Sequence, residues 1–129
     1  MRTATCACGA LRAQCHGEPV RVSVCHCLDC QRRSGSAFAA QVRFPAAAVK
    51  LEGEAHEYRR LGEQSVATFR FCPLCGVTIA YSLSSDPEML AVPLGGFGEA
   101  QLPQPAYSVY EERKRPWVNI VGEGIEHFD

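Results

Sequence analysis

The stretch Val20-Arg21-Val22-Ser23-Val24-Cys25-His26-Cys27-Leu28-Asp29-Cys30-Gln31-Arg32-Arg33-Ser34-Gly35 decides how this chain is read. Its first five residues alternate apolar and polar, the signature of a strand with one buried face. The thiols that follow, Cys25, Cys27 and Cys30, have the spacing C-x-C-x-x-C. A strand running into a turn can converge such thiols on one metal ion. Cys27 and Cys30 are three apart, which places two side chains on one face of a helical turn. A turn starting near Cys27 would also turn free N–H groups toward thiolates. Three thiolates leave one vertex of a zinc tetrahedron unfilled, and an open vertex separates catalytic zinc from structural zinc. The alternative is a closed site with a fourth ligand from Cys15, His16 or His26. His26 lies between two ligands and would point away from a metal they share, whereas Cys15 reads as a small core residue.

Working outward, Cys6-x-Cys8 near the N-terminus and Cys72-x-x-Cys75 far downstream make a second, complete set of four. Two ligand pairs far apart in sequence clamp the start of the chain to its middle, so metal binding becomes folding energy. In the turn Cys72-Pro73-Leu74-Cys75-Gly76, backbone N–H groups are expected to point at the first sulfur, and Gly76 permits a positive φ. The expectation is two zinc ions per chain, one structural (Cys6, Cys8, Cys72, Cys75) and one catalytic (Cys25, Cys27, Cys30).

The eight cysteines could instead form disulfides. Met1 to Gly9 contains no apolar h-region, so a reducing cytoplasm is the expected compartment, and metal ligation is favoured there. No stretch approaches the length of a membrane span. A net charge of -1 without a basic block argues against a general nucleic-acid binder. Eleven glycines and eight prolines spread over 129 residues favour many short strands.

A hairpin is expected over Thr3–Ala7 and Leu11–Cys15, leading into the strand Val20–Val24. A helical turn over Leu28–Arg33 should stop at Gly35. Strands follow at 37–44, 49–51, 55–60, 66–71, 77–83 and 89–94, with a brief helical turn at 46–48 and a turn at Ser84–Pro87. Tyr107–Tyr110 and Val118–Val121 read as late edge strands. With no repeat or linker, the reading is one all-β domain over residues 1–129, with a homodimer possible through its edge strands.

Three thiolates on zinc make an electron-rich centre, poorly suited to generating hydroxide and better suited to capturing a soft ligand such as a thiol. Arg32 and Arg33 are candidates to hold the carboxylates of an anionic substrate. Asp29 reads as a surface carboxylate, and His56 and His127 as surface histidines.

Four segments taken together resemble a known family. They are Cys6-Ala7-Cys8-Gly9, the run Cys25-His26-Cys27-x-x-Cys30-Gln31-Arg32-x-Ser34-Gly35-Ser36-Ala37-Phe38, Phe71-Cys72-Pro73-Leu74-Cys75-Gly76, and Arg115-Pro116-Trp117-Val118. The chain resembles the glutathione-dependent formaldehyde-activating enzymes, which include centromere-protein-V-like proteins, from Cys6 to about Phe128. The resemblance implies a β-tent fold related to Mss4-like proteins, with several small antiparallel sheets pinned by two zinc ions. It also implies the same ligand division as above, and a carbon–sulfur lyase-type reaction joining glutathione, or a similar thiol, to formaldehyde to give S-hydroxymethylglutathione. One departure is visible: family members often carry a histidine opening the late strand before the Pro-Trp pair, and here Ser108 stands there. The competing expectation is a non-catalytic, zinc-stabilised binding module of the Mss4-like fold.

Overall fold

A computed structural model describes residues 1–129. Its regular structure is eleven strands, one short α-helix and three 3-10 turns. The strands form two sheets. In the smaller one, β1 (Arg2–Thr5), β2 (Arg12–Cys15) and β5 (Val49–Glu52) lie in the order β1-β2-β5, all antiparallel. The hairpin register pairs Arg2 with Cys15 and Thr5 with Arg12, so the Cys6–Leu11 segment forms its loop.

The larger sheet has eight strands. They are β3 (Arg21–Cys25), β4 (Ala39–Pro45), β6 (His56–Leu61), β7 (Val66–Phe71), β8 (Thr78–Leu83), β9 (Asp86–Pro93), β10 (Tyr107–Val109) and β11 (Glu126–His127), in the spatial order β11-β10-β3-β4-β9-β8-β7-β6. The single helix, α1 (Leu28–Ser34), follows β3 directly and stops at Gly35, whose N–H returns to the Gln31 carbonyl. The all-β expectation holds.

Two expectations are corrected. Residues 118–121 form no strand: Pro116 and Trp117 sit in a turn closed by the Val118 N–H on the Arg115 carbonyl, and Val118 alone anchors inward. The late strand is instead β11, whose two exposed residues carry no apolar pattern. Strand β10 is not an edge, because it runs parallel to both β3 and β11, whereas the other pairings are antiparallel. Three residues can pair in either direction, and a parallel partner arrives only through a long connection, here residues 26–106 between β3 and β10. The Ser84–Ser85 turn is tighter than expected, with β9 already paired at Asp86.

Period-2 alternation gives the large sheet two different faces. Val22, Val42, Phe44, Ala80 and Val92 turn to one side, where with Leu11, Ala13 and Cys15 of the small sheet they form the main core. Full burial of each large apolar side chain there contributes about 1.5–3 kcal/mol. Residues of opposite parity, Ser23, Cys25, Gln41, Arg43, Phe69 and Tyr81, turn to the other side. Only a small cluster around Phe69, Tyr81 and Ala91 forms on that face, and α1 rises beside it. That is the face with room for chemistry.

Candidate metal centres and the adjoining cavity

Cys6 and Cys8 occupy the β1–β2 loop, and Cys72 and Cys75 the β7–β8 connection, so this group spans both sheets. The Cys6 and Cys8 sulfurs are 3.7 Å apart, and those of Cys8 and Cys72 3.6 Å. A tetrahedral zinc with bonds of about 2.3 Å would separate its sulfurs by about 3.8 Å. A disulfide would need about 2.0 Å. The donor set therefore fits a closed tetrathiolate metal site. Backbone donors complete it: the Leu11 N–H reaches the Cys6 sulfur at 3.3 Å. Hydrogen bonds from the Val77 and Cys8 backbones hold the Cys75 thiol down to about 6. The turn differs in detail from the expectation. Gly76 has φ 78°, but its N–H goes to the Cys72 carbonyl, and the N–H to sulfur contact falls on the second cysteine.

Cys25 ends β3, Cys27 is the N-cap of α1, and Cys30 lies in its first turn. Their three sulfurs lie within 4.8 Å of one another. The Cys27 sulfur accepts the Cys30 N–H at 3.4 Å, so a helix start does face the thiols. Cys30 is held down to about 6 by its hydrogen bond with the Cys25 thiol, then by Cys27 and the Arg33 and Arg60 guanidiniums, against the effect of burial. Cys25 moves upward for the reciprocal reason, with burial adding to it. One sulfur of the group thus carries negative charge readily beside two cations.

No fourth protein ligand joins the three. Cys15 is sealed in the main core, His16 is exposed, and His26 is turned to the opposite face of β3, where its Nε2 lies 2.8 Å from Ser108 Oγ. The group is open, and it opens into a cavity of about 370 Å³.

The β-sheet registers lay out the floor of that cavity. Cys25 sits opposite Ala39; one pleat further along β3, Ser23 sits opposite Gln41 of β4 and Tyr107 of β10. The next row runs Arg43, Ala91, Tyr81, Phe69. Arg33 of α1 comes down over this row, 5.2 Å from the Tyr81 ring centroid and 5.7 Å from that of Phe69. Arg60 lies 5.2 Å over Phe69 and 3.8 Å from Asp29. Arg33 and Arg43 have no carboxylate partner, and Arg43 donates to Ser23 Oγ at 2.8 Å.

Of the arginine pair singled out from the sequence, only Arg33 lines this cavity. Arg32 faces a separate shallow groove beside Trp117. Asp29 does border the cavity, through its pairing with Arg60. His56 and His127 are on the surface, as expected, although His127 Nδ1 lies 2.7 Å from Glu111 Oε2. Ser23, Gln41, Arg43 and Arg60 were missed by sequence reasoning. The signal was present in Ala39-Ala40-Gln41-Val42-Arg43-Phe44, where two polar residues occupy the alternate positions of an otherwise apolar strand.

Residues 1–113 match the family described as glutathione-dependent formaldehyde-activating enzyme. The chain belongs to that family. Among solved structures, a Rhodobacter sphaeroides protein superposes with a TM-score of 0.62 at 21% identity, over 77% of this chain and 90% of that one. That likeness supports the fold. No curated protein matches the chain. No helix is long and apolar enough to cross a membrane.

Proposed function

We propose that this protein is a zinc-dependent carbon–sulfur lyase-type enzyme of the cytoplasm that adds a thiol, glutathione or a close relative, to formaldehyde or a similar small electrophile. In the overall reaction the S–H bond breaks, the sulfur bonds to the carbonyl carbon, and the carbonyl oxygen takes up the proton, giving S-hydroxymethylglutathione. Cys25, Cys27 and Cys30 would hold the catalytic zinc, and Cys6, Cys8, Cys72 and Cys75 the structural one. The catalytic ion supplies a soft Lewis-acidic position at which a thiol is kept as thiolate at neutral pH. The observation that carries this reading is the open three-cysteine group at the end of a cavity with unpaired Arg33 and Arg43.

The chain's own residues account for the rest of the chemistry. Arg33 and Arg60 offset the negative charge of the cysteine group. The Tyr81 hydroxyl, kept protonated by burial, offers a hydrogen-bond donor from the wall of the cavity to a developing alkoxide. The apolar faces of Phe69 and Tyr81 line the cavity beside the cysteine group and supply its non-polar wall.

The test is a glutathione titration of cobalt-substituted protein, followed by turnover with formaldehyde. A shift in the cobalt–thiolate absorption that is lost in Cys27→Ser, with turnover lost in the same variant, is the expected result. Unchanged spectra with glutathione would favour a non-catalytic binding module instead.

A further inference from the structure

The Gln41 side chain is 2% exposed, yet its Oε1 has no hydrogen-bond partner. Its Nε2 donates to Ser23 Oγ at 3.3 Å, and the same oxygen takes the Arg43 Nη1 hydrogen at 2.8 Å. Rotating the amide by half a turn exchanges its ends without altering the result, since one end stays on Ser23 and the other stays unpartnered. A buried amide left half unpaired is costly unless something meets it. Gln41, Ser23 and Arg43 all line the cavity beside the cysteine group. This is a polar subsite with one spare amide end and one guanidinium free of carboxylate.

The sheet fixes how far this subsite lies from the sulfurs. Ser23 and Cys25 are two residues apart on the same face of β3, a spacing of about 6.6 Å. Arg43 sits one row further, opposite Arg21, and its guanidinium reaches back to Ser23, one pleat from the cysteine group. A carboxylate on the thiol-bearing residue itself falls short of that position, and one further residue adds about 3.5 Å of reach. The link to that further residue is a peptide group, which carries both a donor and an acceptor. It can satisfy the free end of Gln41 in either orientation.

We infer that Gln41, Ser23 and Arg43 form a recognition site for the C-terminal carboxylate and preceding peptide link of a cysteinyl peptide, and so select a thiol whose carboxylate lies one residue beyond the cysteine. This inference rests on the thiol-enzyme reading and adds the specificity of the same site. Arg43 anchors the carboxylate, Gln41 reads the peptide link, and Ser23 orients both side chains. Arg33, its guanidinium carbon 5.2 Å from the Tyr81 ring centroid and free of any carboxylate partner, stands available to a second anionic group.

The experiment compares ligands and variants by calorimetric titration of the zinc-loaded protein. In wild type, the glycine ethyl ester of glutathione is expected to bind about 10- to 100-fold more weakly than glutathione, the loss of one charge-assisted contact. Arg43→Gln should weaken glutathione by a similar factor and leave the ester unchanged. γ-Glutamylcysteine, whose carboxylate sits on the cysteine itself, should bind like the ester and be insensitive to Arg43→Gln. Equal binding of glutathione and its ester by wild type would overturn the inference, and so would equal weakening of both ligands by Arg43→Gln. If that variant fails to fold, Arg43→Lys keeps the charge without the planar fork and should show a smaller, ester-sensitive loss; the wild-type ester comparison needs no variant. Failure of every thiol to bind protein carrying two zincs would instead bring down the thiol-enzyme reading itself, a result distinct from binding without carboxylate selectivity.

Discussion

The His26 imidazole Nε2 lies 2.8 Å from the Ser108 hydroxyl, and both side chains are completely buried on the face of the large sheet opposite the cavity. They are brought together by the parallel pairing of β10 with β3, which also places the His26 N–H on the Val109 carbonyl. A serine at position 108 is thus a structural partner of the residue between Cys25 and Cys27. It lies outside the cavity, so the departure from the family's histidine does not remove a group from the cavity wall.

Ser108→Ala should therefore act on stability. It leaves Nε2 of His26 without a partner beside an Nδ1 that already has none, and should cost about 1–3 kcal/mol. Thermal melting should fall by roughly 3–10 °C, while glutathione affinity by titration stays within about twofold, because a sheet face separates the two sites.

Glu111 offers a pH test. Burial alone would raise its carboxyl, but the His127 imidazole 2.7 Å away and the Ser108 hydroxyl hold it below the ordinary range. With a folded pKa below the unfolded one, its contribution is present above the unfolded value of about 4.3 and is lost as pH falls through the folded value. Urea melts at descending pH should show wild type more stable than Glu111→Gln at pH 5.5, with the difference shrinking as the carboxylate protonates. A gap that stayed constant on acidification would contradict the assignment.

The two cysteine groups should separate in their effects on the fold. Cys72 is fully buried in the group that joins both sheets, so Cys72→Ser should lose one zinc per chain and lower the melting temperature by on the order of 10 °C or more. Cys27 belongs to a group contributed by one strand and the helix that follows it, so Cys27→Ser should also lose one zinc but shift melting far less. Elemental analysis and melting curves on the two variants decide this. Equal destabilisation by both would mean that the open group also carries the fold.

Gly53 supports the tetrathiolate loop from outside. It has φ 104°, and a Cβ there would overlap the Ala10 carbonyl oxygen in the loop between Cys8 and Leu11. Gly53→Ala must move that loop, and should destabilise by about 2–4 kcal/mol. Zinc should also be released faster to a competing chelator, which a colorimetric zinc indicator follows. Unchanged zinc release would show that the loop absorbs the methyl group without disturbing Cys8.

Much of this was legible before any coordinates. The period-2 run at Val20–Val24 and the segment Val66–Phe71 became strands, the C-x-x-C spacing at Cys27 became a helix start, and seven cysteines fell into the two expected groups. Each rests on local signals, an apolar run or a closely spaced cysteine motif, even where two such motifs meet from far apart in the chain. What failed was non-local: the charged strand β11 had no apolar pattern to reveal it, and Val118, which looked like the start of a strand, is a single anchor after a turn.

The sequence by itself determined the all-β class and sorted seven cysteines into two candidate metal-ligand sets, one complete and one with a vertex left to fill, because spacing along the chain and the chemistry of thiols are properties of the residues alone. Only the tertiary structure decided what the open vertex faces. Ser23, Gln41, Arg43 and Arg60 come from three strands, and Arg33 from the helix; they meet because strand register sets which positions share a row. Register is a property of paired strands, and a one-residue slip would turn Ser23, Gln41 and Arg43 away from the cavity to the opposite face of the sheet.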